Sequence, residues 1–456
     1  MAIMDPGGGT LYEAEDDVDA APERPGPEPA AGRAQSWDTG WDRMVRPARD
    51  PDYDSVVVAG NGVGALAFAA RLARSPDYAG RVVVVAPPIA ESRRLISGVS
   101  LRARAADYLA DALGVERAAL VAAIAGSGSG APALFGQTSS LAQRDDDGIW
   151  QFSRHGRRRN RRNEAGEPCG YGFRNSRIVA GVWGLADRLG VRLVPEMAES
   201  AAHLRALAPG TRPLMVNATA DARLLGAAPG QPNRMVLASQ VPFVEMPHGI
   251  THPLQAGTAH TPLVRREGSV DAGYFIPYAD PLSPRASWYG LLTRTVPADC
   301  AFDPQRELEV MTEELFGLGA AFGLLPDEPE QTLGCALVPA APEWGTIRSA
   351  PGCLELRRAY FAGSQWFYAD GMMSAAAAGL LAARAVLSGA DPDRVVRRAL
   401  RSLRWQTQLW WLETSRVPLL RDRLMHLRGR IAPAHAPRLG APWPVGAEVL
   451  DETLQT

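Results

Sequence analysis

Apolar and polar positions change their rhythm several times along the chain, and each change predicts a different kind of element. The first ordered pattern begins at Tyr53, where the run Val56-Val57-Val58 leads into a glycine turn and then an Ala/Leu-rich stretch ending near Ser75. A second valine run at 81–86 follows at the distance expected for a βαβ return. Apolar runs without alternation mean burial on both faces, so these strands are predicted to lie in a parallel sheet. Helical spacing governs 100–125 up to the break GSGSG at 126–130, and returns from Asn175 ahead of a short strand at 191–195. The stretch 213–225, PLMVNATADARLL, reads as a further buried strand closed by a turn. Between 234 and 296 the pattern is β-rich without long helices, which predicts an antiparallel sheet inserted into the α/β framework. Helical spacing returns at 304–323, ELRRAYFAGS at 355–364 reads as a last strand, and a helix is predicted from near Asp370 to Gly389. No internal repeat is evident.

The remaining stretches are polar or basic. Residues 1–50 combine three successive glycines, an acidic cluster and PERPGPEPAAG, the composition of a disordered tail. The segment 144–172 carries six arginines between Arg154 and Arg162 and is predicted to be an exposed excursion; docking of an acidic carrier protein is the sharper alternative. Residues 394–413 set Arg397, Arg398, Arg401 and Arg404 beside Trp405, Trp410 and Trp411. This reads as a helix covering the core or an oligomer interface, with contact to a membrane surface as the less favoured reading.

Composition narrows the chemistry. The chain has 456 residues, 46% of them apolar, and its 48 basic side chains against 50 acidic ones give no electrostatic reason to bind nucleic acid. Every basic residue is arginine, which excludes Schiff-base chemistry, pyridoxal-phosphate attachment and a P-loop lysine. Cys169, Cys300, Cys335 and Cys353 are widely spaced, with no C-x-x-C pair, and read as thiols of a reducing compartment. The acidic start and the short apolar run at 375–383 predict neither a secretory signal nor a membrane span, so a cytoplasmic protein is expected. His248, His252 and His260 recur near one another, but Pro247, Gly249 and Pro253 forbid a helix that would align the first two, and no metal site is expected. Ser153, Ser176 and Ser374 lack the G-x-S-x-G context of a serine hydrolase.

The chemistry concentrates in two glycine turns. Gly60-Asn61-Gly62-Val63-Gly64-Ala65 matches the dinucleotide fingerprint with alanine in the third glycine's place. Gly60 permits a tight turn, Gly62 lets a pyrophosphate approach the backbone, and the small Ala65 lets the helix pack on the strand. The acidic residue usual at the end of the second strand is replaced by Val85-Ala86-Pro87-Pro88. The second segment is FAGSQWFYADGMMSAAAAGLLAARA at 361–385, where a helix starting at Asp370 would offer the amides of Gly371 and Met372 to an anion. Asp370 is equally suited to cap that helix.

Taken in order, these segments resemble the glutathione-reductase-like FAD superfamily, in the branch of flavin-dependent monooxygenases, halogenases, geranylgeranyl reductases and lycopene cyclases. The resemblance spans about residues 53–390. It implies an α/β fold: a Rossmann-like FAD-binding domain in two parts (51–233 and 345–390), an inserted antiparallel substrate domain (234–344) and a helical extension (391–456). By the same resemblance Gly363 and Ser364 stand where the family has Gly-Asp, while Asp370, Gly371 and Ser374 fall on its Asp-Pro-x-x-Ser pattern, and Arg102 occupies the place of a flavin-proximal arginine. Trp366 and Tyr368 are candidates for substrate contact or for packing, as is Tyr274 in the Gly273–Pro277 segment. The expected function is an FAD-dependent oxidoreductase, a monooxygenase or dehydrogenase acting on an apolar or aromatic small molecule of specialised metabolism, served by a carrier protein or a flavin reductase. A redox-neutral cyclase and a non-catalytic scaffold are the alternatives. The family's halogenases use a lysine, which this chain lacks, and Val216–Ala220 stands in for an Asp-Gly motif linked to NADPH handling. No catalytic acid or base is identified.

Overall fold

The computed structural model describes residues 53–88, 98–126, 133–154, 168, 170–219, 224–226, 232–246, 254, 257–266, 269–278, 287–297, 303–327, 332–339, 347–356 and 371–399. The tail at 1–50, the arginines at 157–162, His248, His252, the segment carrying Gly363, Ser364, Trp366, Tyr368 and Asp370, and everything after 399 lie outside the described residues.

Strand β1 (Ser55–Ala59) turns into helix α1 (Val63–Ala73), and β2 (Val82–Val85) pairs parallel to β1 with Val56 opposite Val82. The helix is Ala/Leu-rich and every residue but Arg71 is buried; it stops where Ser75-Pro76 disfavours further helical backbone. Next come β3 (Gly98–Arg102), α2 (Ala103–Leu113) and α3 (Arg117–Ala125), then β4 (Ala133–Leu134), β5 (Gly136–Arg144), β6 (Trp150–Arg154) and β7 (Gly170–Arg174). Helix α4 (Asn175–Arg188), β8 (Arg192–Val194), α5 (Ala201–Leu207) and β9 (Pro213–Asn217) follow. A run of strands, β10 (Pro232–Glu245), β11 (Thr258–Arg266), β12 (Ser269–Pro277) and β13 (Trp288–Pro297), leads to α6 (Pro304–Ala321), β14 (Leu324–Pro326) and β15 (Thr332–Pro339). The described chain closes with β16 (Ile347–Ala350), β17 (Cys353–Leu356), α7 (Gly371–Leu387) and α8 (Pro392–Ala399).

The first sheet has the order β16-β17-β9-β1-β2-β8, parallel throughout except for the β16–β17 hairpin. Its valine runs serve two cores. Val56, Val58, Val82 and Val84 pack with α1, α2, α4 and α7 on one face, whereas Val57, Ala59, Val83 and Val85 meet Leu204 of α5 on the other. Both faces are covered, as a parallel sheet requires. Each fully buried valine contributes about 1.5–3 kcal/mol, so this strand pair is the anchor of the fold.

An eight-stranded sheet runs β14-β10-β13-β12-β11-β5-β6, with β15 also paired to β10 and α6 packed across one face. Three expectations are corrected here. The sheet is not built from 234–344 alone: β5 and β6 join it from 136–154, and β5 enters parallel to β11, so it is mixed. The span 144–172 is exposed at its Asp145–Ile149 turn, but Trp150 and Phe152 pack against the α6 cluster, and Gly170–Arg174 is the central strand of a three-stranded sheet, β3-β7-β4. Alternating aromatic and polar positions at 150–154 form a half-buried edge strand that the neighbouring arginine run disguises. The predicted helix over 100–125 is a strand and two helices, divided by Gly114 at φ 68°.

Beneath α6 a buried ionic cluster ties the sheet together. Arg294 donates from Nε to Asp271 Oδ2 at 2.8 Å and reaches Glu314 at 2.9 Å, Arg266 lies 2.7 Å from the same Asp271 oxygen, and Glu307 also pairs with Arg294. Burial pushes the Asp271 carboxyl above its ordinary range, against the opposing pull of the two guanidinium groups.

Candidate functional site

The site begins where β1 ends. Gly60 has φ 122°, and a Cβ there would lie 2.8 Å from the Ala218 carbonyl oxygen, so both conformation and space require glycine. Two hydrogen bonds hold the turn to its neighbours: Gly60 N–H donates to Val85 O at 2.9 Å, and Ala218 N–H donates to Ala59 O at 2.8 Å. The turn therefore sits at the carboxyl edge of the parallel sheet between β2 and β9, the position at which open α/β sheets bind ligands.

Gly62 is the extended N-cap of α1, at φ −72° and ψ 158°, and offers no side-chain cap. The first bond into the helix is Leu66 N–H to Gly62 O at 3.1 Å, so the amides of the first turn have no intrahelical acceptor and can face an anion. Ala65 is 1% exposed, pressed into the core as expected. Asn61 adds a donor: its Nδ2 is buried and has no hydrogen-bond partner among the described residues. A buried amide donor without a partner costs stability, and a phosphate oxygen would satisfy it.

Gly64 stands at a variable position of the fingerprint, and the structure gives it a packing task. A Cβ at Gly64 would lie 2.8 Å from Ala375 O, and a Cβ at Gly379 would lie 2.1 Å from Gly64 O. Helices α1 and α7 thus cross at backbone contact, in the first turn of α1 and one to two turns into α7. Gly371 is one turn of α7, about 6 Å, before Ala375, so the amino-terminal turns of the two helices converge. Met372 is half-buried against the core of the parallel sheet. Two helix starts presenting positive dipole ends at one sheet edge can hold an extended, anionic nucleotide.

Arg102 is the last residue of β3 and the N-cap of α2, not a residue within a helix. Strand β3, which ends at Arg102, contacts α7 and also β12 and β13, so it lies on the seam between the helices packed on the parallel sheet and the mixed sheet. The same seam is closed by β7, where a Cβ at Gly172 would run into the Pro277 carbonyl. Tyr274 is 7% exposed and packs with Ile276, Leu291, Ala259 and, from the three-stranded sheet, Leu134. Its strand neighbour Phe275 points the other way, into the α6 cluster, so Tyr274 faces away from α6 and toward the seam. Tyr278 and Tyr289, ring centroids 5.4 Å apart, continue that face, and Tyr289 Oη donates to Gln240 Oε1 at 2.7 Å. Sequence reasoning singled out Tyr274 alone; the period-two spacing Tyr274-Ile276-Tyr278 was the available signal.

His260 is buried on the opposite face, 3.0 Å from Ser140 Oγ and edge-on to Phe322. Burial holds its imidazole down to about 4, so it is neutral at physiological pH. Among the described residues no group of three or more His, Cys, Asp or Glu is placed to hold a metal ion, and no helix is long and apolar enough to cross a membrane.

A parallel sheet with a glycine turn at its carboxyl edge, seamed to a mixed sheet, defines an α/β fold in which a second, mixed sheet lies beside the first. It is the fold of a variant of HpxO from Klebsiella pneumoniae complexed with FAD, matched at TM-score 0.52 and 13% identity over 86% of this chain and 100% of that one. The flavin-dependent brominase Bmp2 aligns at TM-score 0.48 and 14% identity, over 83% of this chain and 93% of its own. FqzB aligns at TM-score 0.47 and 14% identity, over 90% and 94%. No protein-family model and no curated protein matches the chain.

Proposed function

We propose that this protein is an FAD-dependent oxidoreductase acting on an apolar or aromatic small molecule. The observation that carries the reading is the backbone crossing of α1 and α7 at Gly64, Ala375 and Gly379, which sets two helix starts beside the uncapped Gly62 turn. The HpxO fold, solved with FAD, supports it. The residues fit the cofactor: Asn61 Nδ2 and the first-turn amides of α1 suit the pyrophosphate, and Gly371 and Met372 offer amides near an isoalloxazine. Ala86, 1% exposed, supplies no carboxylate for a ribose, so affinity rests on the phosphate contacts. Gly363, Ser364 and Asp370 belong to the same proposed site through the resemblance.

When bound, FAD supplies two-electron redox chemistry; the chain's own residues position, orient and exclude water. The Tyr274, Ile276, Tyr278 and Leu291 face is apolar with hydroxyl tips, the lining expected for an aromatic or otherwise apolar substrate. Trp366 and Tyr368 are proposed to complete it. With no lysine in the chain, monooxygenation or dehydrogenation is favoured over halogenation. In a monooxygenation the electrons would come from a separate flavin reductase; in a dehydrogenation they would come from the substrate and pass from the flavin to an external acceptor.

The test is reconstitution. Purified protein incubated with FAD is expected to retain one yellow, FAD-containing equivalent after gel filtration, confirmed by mass after denaturation. A protein that stays colourless across a wide FAD range refutes the reading. Product mass then separates hydroxylation, which adds oxygen, from dehydrogenation, which removes two hydrogens, and from cyclisation, which changes nothing.

A further inference from the structure

Directly beneath the glycine turn lies a buried polar pair. Asn217 is the last residue of β9, Glu355 stands opposite it in the β17 register, and they are 1% and 3% exposed. Glu355 Oε2 accepts from Asn217 Nδ2 at 2.9 Å. The other end of the same amide, Asn217 Oδ1, accepts from Thr219 N–H at 3.0 Å and from Thr219 Oγ1–H at 2.7 Å. An asparagine amide can present either end, whereas a carboxylate only accepts. Glu355 and the Thr219 N–H therefore select, from opposite ends, the orientation in which Nδ2 faces β17 and Oδ1 faces Thr219.

That orientation reaches the turn. The backbone it pins, Ala218–Thr219, is the wall against which Gly60 rests: a Cβ at 60 would lie 2.8 Å from Ala218 O and 3.4 Å from Thr219 N. The same stretch is tied to β1 by the Ala218 N–H to Ala59 O bond. We infer that Glu355 is a positioning residue for the nucleotide-binding turn, acting through the Asn217 amide on the Ala218–Thr219 backbone that supports Gly60; the inference rests on the nucleotide-binding reading above. A turn must be set before its amides can meet a phosphate, so loosening its support weakens binding without removing a single ligand contact.

The experiment compares E355L, E355Q and the control T312V, which breaks the buried 2.8 Å hydrogen bond between Ser239 of the mixed sheet and Thr312 of α6. FAD affinity is read by fluorescence quenching, thermal stability by melting, and amide hydrogen exchange on flavin-free protein. E355L is expected to weaken FAD binding at least tenfold and to speed exchange at Gly60, Ala218 and Thr219 at least tenfold, while T312V leaves both unchanged at comparable loss of stability. E355Q keeps an acceptor oxygen and is expected to bind within threefold of wild type. Should E355L not fold, E355D, with its acceptor drawn back by one methylene, takes its place. Wild-type affinity in the leucine or aspartate variant, a loss no greater than in T312V, or unchanged exchange at those three amides overturns the inference. If the wild type binds no FAD, the proposed function falls; accelerated exchange then still upholds the positioning of the turn by Glu355, and unchanged exchange refutes it.

Discussion

Substituting Gly379 by alanine adds one methyl group at the crossing of α1 and α7. That methyl would sit 2.1 Å from Gly64 O, 3.0 Å from Gly64 C and 3.1 Å from Gly64 Cα, all of them backbone atoms that cannot rotate away. Carbon atoms do not approach a carbonyl oxygen closer than about 3.0 Å, so the helices must part by about 0.9 Å or tilt. Overpacking of this kind costs about 1–3 kcal/mol. Gly379 lies a little over two helical turns, about 12 Å, past Gly371 but directly against the first turn of α1, and a misplacement of about 1 Å in a binding constellation costs on the order of a hundredfold in function. Flavin titration and chemical denaturation of Gly379→Ala are expected to show both losses. The partner variant Gly184→Ala lies in α4 with nothing within 4 Å of the added methyl; there helix propensity predicts a gain of about 0.5–1 kcal/mol and unchanged affinity. If Gly379→Ala binds FAD as the wild type does and melts at the same temperature, the helix crossing does not set the site and the reasoning fails.

Two further predictions concern the mixed sheet. His260 is held down to about 4 in the folded protein, while an unfolded imidazole titrates near 6.5, so the unfolded chain takes up its proton first as pH falls. The stability due to neutral burial is present above about pH 6.5 and is lost towards about pH 4; between about pH 7 and pH 5 it should fall by about 2 kcal/mol more in wild type than in His260→Asn. Urea titrations at the two pH values check this, and identical pH slopes would refute it. Asp271→Asn leaves Arg266 and Arg294 short of their shared buried acceptor and should cost about 3 kcal/mol in the same assay. Because the cluster lies under α6, FAD affinity of the folded variant should stay within threefold; a larger change would mean that the two sheets are energetically coupled at the site.

What was legible in the sequence was local. The valine runs, the glycine turn and the Ala/Leu helix lie within thirty-odd consecutive residues, and backbone sterics together with burial on two faces leave little other than a parallel βαβ unit. The helices at 175–188, 304–321 and 371–387 were equally readable, because apolar spacing and end signals such as Asp303 before Pro304 are written in neighbouring positions. Strand β6 was missed because an edge strand needs only half its residues apolar and the arginine run beside it dominated the pattern; β5, interior to the sheet, was missed because Leu141 and Ala142 are the only apolar side chains in its sequence GQTSSLAQR.

The tertiary structure alone decided which distant positions meet. That Gly64 exists for Gly379, that Glu355 orients Asn217 beneath Gly60, and that Tyr274 faces the seam and not α6 follow from strand order and helix crossing. Neighbouring residues determine whether a segment is helix or strand through torsional preference and the period of its apolar face. Which segments come together is settled by the packing of whole elements, a sum over many weak contacts between residues hundreds of positions apart that no local pattern records.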